Sequence, residues 1–218
     1  MIKTLFFDFD GTIHHALPIY FPALQEVYDD LVKRGLKPEK TWTEKDVFPF
    51  LGQTAKEMWE TFAPELSEGD KEAYAEKIRD IEETLIEQGH SKLFDGAFET
   101  LKSLKKDYHM VFFSNCSNRY LNLMKKAHHL DDLFDDYLTA ENFAYQPKAK
   151  TLSMVQEYFP KGHLFTGDRH HDFTAGKANG VPTVGCAYGF GGDEIKQADY
   201  VISSITELPP LLNQINSQ

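Results

Sequence analysis

Six short apolar runs, each bounded by turn-forming residues, constrain the fold of this chain more than any other feature of its sequence. Helical patterns lie between the later runs, and strands that alternate with helices are typical of a parallel sheet, because parallel neighbours need a crossover connection. The sequence therefore predicts an α/β fold built on a parallel sheet. In chain order the runs read TLFFDFD, HMVFFSN, DDYLTAE, HLFTGD, TVGCAYG and DYVISS.

One connection in this scheme is too long for an ordinary crossover. About a hundred residues separate Asp10, at the end of the first run, from His109, at the start of the second. A complete strand–helix–strand unit needs only about 30 residues. We therefore expect an inserted helical cap domain at residues 15–92, with residues 1–14 and 93–218 together forming the α/β core.

The predicted insert carries the spacing of amphipathic helices. Two stripes repeat apolar residues at i, i+4, i+7 and i+11, which places each stripe on one helix face, so that two helices can pack together. A third helix is expected around Met58 and Trp59. The apolar loop at residues 48–52 either fills the core of the insert or shapes a pocket. The stripes are Tyr20, Leu24, Val27 and Leu31, and Tyr74, Ile78, Ile81 and Leu85.

Charge and cysteine content narrow the classes of partner and compartment. The 218 residues carry a formal net charge of -11, which argues against nucleic acid as the main partner, since that partner requires a basic surface. Cys116 and Cys186 have no metal-ligand spacing, which suits a reducing compartment. Met1 leads almost directly into the first run, and no apolar run approaches the ~18 residues of a membrane span. We expect a cytoplasmic monomer or homodimer that binds no membrane.

Polar and acidic side chains gather where three of the predicted strands end. Asp8 and Asp10 close the first run, Ser114 and Asn115 the second, and Asp168 the fourth. Ligands of parallel sheets bind beyond the carboxyl ends of the strands, so these side chains should meet at one edge. Helix N-capping would explain any one of the acids but not all of them. Crowded carboxylates repel one another unless a cation joins them, and oxygen ligands of this kind favour magnesium.

Three motifs, in this order, resemble those of the haloacid dehalogenase superfamily, in its phosphatase branch with a helical cap. They are DFDGT at residues 8–12, FFSN at 112–115 and GDRHHD at 167–172, and the resemblance spans essentially the whole chain. The stretch from GKANG to YVISS is also similar to phosphoglycolate phosphatase-like members. The resemblance implies a Rossmann-like core and a magnesium-dependent phosphatase acting on a small phosphorylated metabolite.

Carried over residue by residue, the resemblance makes Asp8 a nucleophile that forms an aspartyl-phosphate. Such a covalent step splits one hard displacement into two easier ones. Asp10 would protonate the leaving alkoxide and then deprotonate the attacking water, with Thr12 helping to position it.

The same resemblance implies the metal ligands and the phosphate contacts. Magnesium would be held by the side chains of Asp8 and Asp168 and the backbone carbonyl of Asp10, with Asp172 behind them. Thr12, Ser114 and the Asn115 backbone would bind the phosphate, the last two at the oxygens of the transferring phosphoryl group.

The chain departs from the family pattern at the third motif. The family has a lysine directly before a proline that opens a helix, whereas here Gln146 precedes Pro147. Proline is tolerated at a helix start, and the positive end of a helix favours phosphate, so a substitute is well placed there. We predict that Lys148 supplies the missing charge to the phosphate and pairs with Asp172 or Asp8, and a solvated Lys148 is the alternative.

The other basic residues near the motifs are expected to have lesser roles. Lys150 should be solvated. His14 and His15 follow the first motif, and His170 and His171 lie inside the last one. Surface or packing roles are expected for them, with a contact of His14 or His15 to the substrate as the alternative. Adjacent histidines cannot easily face one metal, so no zinc site is expected.

Two other functions stay open beside the phosphatase. A sugar phosphomutase of the same superfamily uses the same two aspartates, although such enzymes carry Glu-Asp where this chain has Gly167 and Asp168. A phospho-ligand sensor without turnover would account for the absent lysine at Gln146. A dehalogenase is disfavoured because Asp10 has no use when the leaving group is a halide. A phosphonatase is disfavoured because it depends on an imine-forming lysine in the cap.

Overall fold

A six-stranded parallel sheet forms the centre of the molecule, whose computed structural model describes residues 1–217. The strands of these residues are β1 (Thr4–Phe7), β2 (His14–His15), β3 (Lys92–Leu93), β4 (His109–Ser114), β5 (Asp136–Thr139), β6 (His163–Gly167), β7 (Thr183–Cys186) and β8 (Tyr200–Ile202). The large sheet has the order β5-β4-β1-β6-β7-β8 with every neighbouring pair parallel. The six apolar runs are its six strands, which confirms the predicted α/β fold.

Helices cover both faces of this sheet. The helices of the described residues are α1 (Leu17–Lys33), α2 (Glu44–Val47), α3 (Ala55–Phe62), α4 (Glu68–Glu87), α5 (Ala97–Leu104), α6 (Asn118–His128), α7 (Lys148–Val155), α8 (His170–Asn179) and α9 (Leu208–Asn216). Because side chains alternate along a strand, Leu5 and Phe7 pack in one apolar cluster with α5, α6 and α9, whereas Phe6 packs with α7 and α8. Within residues 1–217, no helix has the length and apolar character that crossing a bilayer demands.

Residues 17–87 form a helical group with its own apolar cluster. Leu24 and Leu31 of α1 are fully buried, and Tyr74 of α4 and Trp59 of α3 belong to the same cluster. The helices predicted from the two apolar stripes are therefore present and pack against each other.

Two short strands connect the helical group to the large sheet. β2 pairs antiparallel with β3, with His14 opposite Leu93 and His15 opposite Lys92. The chain therefore enters and leaves the helical group through adjacent segments. A strand of two residues is too short to show a hydrophobic periodicity, so the sequence does not indicate this pair.

The strand order opens a crevice at one edge of the large sheet. β1 lies between β4 and β6, and the chain runs outward from β1 to β4 on one side and from β6 to β7 on the other. Loops that leave neighbouring strands in opposite directions leave room for a ligand at the carboxyl ends of those strands. Asp8, Ser114 and Asp168 lie at the ends of these three strands.

Candidate active site

Asp8 directly follows β1 and lies at the middle of the crevice. Its backbone N–H donates to the Thr166 carbonyl at 2.9 Å, and its side chain is buried. The Lys148 Nζ donates to Asp8 Oδ1 at 2.5 Å. Burial raises the pKa of Asp8, whereas the positive charge of Lys148 lowers it. The negative charges of Asp172 and Asp10 raise it further, and the resulting pKa is about 7.

Lys148 is the first residue of α7 and is only 5% exposed despite its charge. Its Nζ also donates to Asp172 Oδ1 at 2.7 Å, and it lies over the rings of Phe113 and Phe165, 5.8 and 5.7 Å from their centroids. Burial by itself would lower the pKa of Lys148, but the carboxylates of Asp172 and Asp8 outweigh it and raise that pKa above its usual value. Lys148 therefore stays charged and joins two carboxylates.

The charge at the third motif thus comes from the first turn of α7. Gln146 and Lys150 are both exposed, in agreement with the solvated position predicted for Lys150. Helical side chains point back toward the helix N-terminus, which is the direction from Lys148 to the strand ends. Both of the ion pairs considered for Lys148 are present, and its contact with a phosphate stays a prediction.

Asp168 follows β6 and is fully buried. Its Oδ2 accepts the Phe190 N–H at 2.7 Å, whereas its Oδ1 has no hydrogen-bond partner among residues 1–217. Burial, with Asp8 and Asp172 nearby, raises the pKa of Asp168 well above its usual range. Gly11 has a φ of +88°, and a Cβ on it would lie 2.3 Å from Asp168 Oδ2, so the turn of the first motif requires glycine.

Three buried carboxylates form a compact acidic cluster. Ligand oxygens of Asp8, Asp168 and Asp172 all lie within 4.8 Å of one another. Asp172 has both of its oxygens occupied, Oδ1 by Lys148 and Oδ2 by the Arg169 N–H at 3.1 Å. The unpartnered Asp168 Oδ1 is therefore the atom that most needs a cation. The three carboxylates offer only oxygen ligands, and a single lysine lies beside them. Such a ligand set fits a hard divalent cation such as Mg²⁺.

Asp10 lines the same cavity as Asp8, and two side chains hold one of its oxygens. The Tyr120 hydroxyl donates to Asp10 Oδ1 at 2.8 Å, and His14 Nδ1 lies 2.7 Å from the same atom. These contacts fix the direction of the Asp10 carboxylate. The sequence does not indicate these contacts, because Tyr120 belongs to no motif and nothing in the sequence relates His14 to Asp10 across the turn.

His14 continues into a chain of hydrogen bonds that leads away from the cavity. It is fully buried, stacks on Phe9 with 5.1 Å between ring centroids, and has Nε2 2.9 Å from Ser91 Oγ. Ser91 Oγ in turn lies 2.6 Å from His128 Nε2. Burial, with His14 nearby, lowers the pKa of His128 to about 4, so His128 is neutral near pH 7. The pairing of β2 with β3 brings Ser91 to His14.

Ser114 and Asn115 end β4 and line the cavity. The Ser114 hydroxyl is buried and accepts the Cys116 N–H at 3.3 Å. The Asn115 side-chain amide donates to the Gly52 carbonyl at 2.9 Å. The Asn115 side chain thus contacts the apolar loop at residues 48–52, and the phosphate contacts of Ser114 and of the Asn115 backbone stay predictions.

The apolar loop is also held by Arg169 of the last motif. The Arg169 guanidinium donates to the carbonyls of Leu51 and, at 3.3 Å, Phe48, and its Nε donates to Glu194 Oε2 at 2.9 Å. Phe50, Leu51 and Gly52 line the cavity, and Phe50 and Leu51 also pack in the apolar cluster of the helical group, so the loop has both of the roles considered for it. The role of Arg169 had no signal in the sequence.

One predicted site residue, Thr12, which was expected to help bind the phosphate, lies outside the cavity lining. Thr12 is fully buried outside the cavity lining, and within the described chain its hydroxyl has no hydrogen-bond partner, so the predicted positioning of Asp10 by Thr12 is not seen. The tight turn at Gly11 directs Thr12 into the core, where its carbonyl accepts the Tyr188 hydroxyl at 2.8 Å. His15 packs beside Phe94 and Phe190, and His170 packs against His171 with the two rings tilted, in agreement with packing and surface roles.

A cavity of about 220 Å³ lies between the strand ends and the helical group. Asp8, Asp10 and Ser114 form its floor, and apolar side chains of α1, α3 and α4 form its opposite wall. The site therefore places the carboxylates of Asp8 and Asp10 against one partly open cavity.

Comparison with known proteins agrees with this arrangement. The family model for haloacid dehalogenase-like hydrolases matches residues 5–186. The pyrophosphatase PpaX of Bacillus mycoides is 25% identical over 228 residues, which cover 99% of this chain and 99% of that protein. Among solved structures, a predicted phosphoglycolate phosphatase from Haemophilus somnus has a TM-score of 0.77 at 20% identity, covering 97% of this chain and 98% of that chain.

A further solved structure is that of the hydrolase YfnB from Bacillus subtilis, which was determined with bound magnesium. It has a TM-score of 0.71 at 18% identity and covers 97% of this chain and 99% of that chain. At these identities the two structures establish the fold. Because the family model spans most of the chain, from β1 to β7, the chain belongs to the haloacid dehalogenase-like hydrolase family.

Proposed function

We propose that the chain is a magnesium-dependent phosphatase that hydrolyses a small phosphorylated metabolite, a phosphomonoester, through an aspartyl-phosphate on Asp8. The observation that carries this proposal is the hydrogen bond of 2.5 Å from Lys148 Nζ to Asp8 Oδ1. Asp8 and Asp10 line the same cavity. A charged lysine beside a carboxylate nucleophile offsets the repulsion between that carboxylate and a phosphate dianion. The named relatives and neighbours, which include a pyrophosphatase and a predicted phosphoglycolate phosphatase, support the hydrolytic transfer of a phosphoryl group to water.

The reaction runs in two displacements. In the first, an Asp8 carboxylate oxygen bonds to phosphorus, the bond from phosphorus to the leaving oxygen breaks, and Asp10 gives its proton to that oxygen. In the second, Asp10 takes a proton from water, the water oxygen bonds to phosphorus, and the bond to Asp8 breaks. Phosphate leaves, Asp8 is a carboxylate again, and Asp10 has regained its proton.

The other residues hold the reacting groups in place. Asp8 and Asp168 would hold Mg²⁺, with the Asp10 carbonyl as a further ligand, and the ion would neutralise charge on the phosphoryl oxygens. Asp172 keeps Lys148 in position, and Ser114 and Asn115 supply hydrogen bonds to the phosphoryl group. In this proposal residues 15–92 act as a cap that excludes water from the cavity.

The phosphomutase and the sensor have no specific support. A sensor was suggested by the absence of a lysine at Gln146, but Lys148 supplies a charge at Asp8.

The test is a screen of phosphorylated metabolites with magnesium, followed by acid quenching of the best substrate during turnover. Intact-mass analysis should detect one added phosphoryl group, located on Asp8 by peptide mapping, and Asp8→Asn should carry none. Failure to hydrolyse any phosphate ester, or turnover with phosphate on another residue, would contradict the proposal.

A further inference from the structure

The wall of the cavity opposite Asp8 is apolar and aromatic. Tyr20 of α1, Met58 and Trp59 of α3, Ile78 of α4 and Phe50 of the loop all line it. The group attached to the phosphate must occupy this side of the cavity, because the phosphate itself is held by the strand ends. Apolar walls favour a leaving group with an apolar or ring-shaped body.

The two arginines that line the cavity are already paired with acids of α4. Arg119 donates to Glu76 at 2.7 Å and to Asp80 at 2.9 Å, and it also contacts Glu83. Arg79 donates through its Nε to Glu76 at 2.9 Å. An anionic leaving group would have to displace these carboxylates, and among the described residues the lining contains no other arginine or lysine.

The wall also presents an acid. Glu82 of α4 lines the cavity, and burial, with Asp10 nearby, raises the pKa of Glu82 to about 8. Glu82 is neutral when protonated and negative when ionised, so it cannot pair with an anionic leaving group. A carboxylate or a second phosphate placed here would be an anion without a partner, which is costly beside an apolar wall.

Two buried polar atoms of lining residues lack hydrogen bonds. Within residues 1–217, Trp59 Nε1 has no acceptor and Gln53 Oε1 has no donor, although both side chains line the cavity. Buried polar groups are nearly always satisfied, and hydroxyl groups can serve as acceptor and donor alike. Both atoms are themselves buried behind the cavity surface, so they place no requirement on the leaving group.

We propose that the substrate is the phosphate ester of an uncharged alcohol with a largely apolar body, and that pyrophosphate and carboxylate-bearing esters are poor substrates. This inference rests on the phosphatase function proposed above. It separates the chain from relatives named for pyrophosphate or phosphoglycolate, both of which have anionic leaving groups.

The experiment compares matched esters with the full chain and magnesium. The pairs are 2-hydroxyethyl phosphate against phosphoglycolate, and 4-(hydroxymethyl)phenyl phosphate against 4-carboxyphenyl phosphate, with pyrophosphate as a further anion. The neutral member of each pair should have a kcat/KM about tenfold higher or more, mainly through KM. Glu82→Lys should reduce this ratio, whereas Glu72→Lys, at an exposed position of α4 outside the cavity, changes the charge equally and should not.

The outcomes separate the two proposals. If the anionic esters are hydrolysed as well as the neutral ones, or better, the leaving-group inference is wrong and the phosphatase proposal stands. If no ester is hydrolysed, including 4-nitrophenyl phosphate, the phosphatase proposal fails and this inference fails with it. If Glu82→Lys does not fold, the comparison of esters with the parent chain decides alone.

Discussion

The Nζ of Lys148 lies 2.5 Å from Asp8 Oδ1 and 2.7 Å from Asp172 Oδ1, although 140 residues separate it from Asp8 in the chain. Lys148→Ala should therefore lower kcat about 100-fold or more, the loss typical of removing one preorganised charge from a reacting centre. Steady-state kinetics on the best ester, with folding checked by circular dichroism, measure this.

Lys150→Ala is the matched control, because Lys150 is exposed two residues further along α7. It should retain the parent's activity, and Gln146→Lys should partly restore the Lys148→Ala variant. Full activity of Lys148→Ala would mean that Lys148 does not serve the reaction.

Asp8→Asn should abolish turnover, because an amide does not accept the phosphoryl group. The metal-free variant should also be more stable than the parent above pH 7, where the raised pKa of Asp8 means that the parent holds a costly buried carboxylate. Urea unfolding in chelator at pH 8 tests this. A variant less stable than the parent there would show that the ion pair with Lys148 outweighs the repulsion among the acids.

Asp10→Asn should slow the reaction most with poor leaving groups. An alkoxide needs a proton as it leaves, whereas a nitrophenolate does not, so alkyl esters should lose about 10²-fold or more and 4-nitrophenyl phosphate much less. The measurement is the rate of enzyme phosphorylation in a rapid-quench experiment. Equal losses on both esters would argue against Asp10 as the acid.

Removal of divalent cations should abolish activity, and magnesium should restore it. Calcium should restore little, because it prefers more ligands and longer distances, which would misplace the phosphate relative to Asp8. Titration of the chelated protein with each ion measures this. Full activity in excess chelator would refute the metal role of Asp168.

Glu82 should make stability depend on pH. Its folded pKa of about 8 exceeds that of an unfolded glutamate, so the native state binds more protons and loses stability as pH rises from about 4.5 to about 8. The free energy of unfolding of Glu82→Gln should match that of the parent near pH 4.5 and exceed it by about 1 to 2 kcal/mol at pH 8.5. This difference is smaller than the full pKa shift implies, because the Glu82 side chain is only half-buried and solvent screens its charge. Urea unfolding at the two pH values measures the difference. A pH-independent difference would contradict the raised pKa.

The sequence by itself determined the sheet and the residues at its edge. Apolar runs and helical stripes are local patterns. Each run forms one strand because turn residues end it on both sides and its apolar side chains are buried when strands pair and amphipathic helices pack on them. Since parallel strands end at one edge, the positions of Asp8, Ser114 and Asp168 followed from the runs that precede them.

Only the tertiary structure decided which side chains touch. The contacts of His14 and Tyr120 with Asp10, and of Arg169 with the apolar loop, join segments whose sequences do not indicate that they meet. Each depends on how a helix or loop packs against the strand ends, and that packing is set by the summed burial of many side chains rather than by any local pattern.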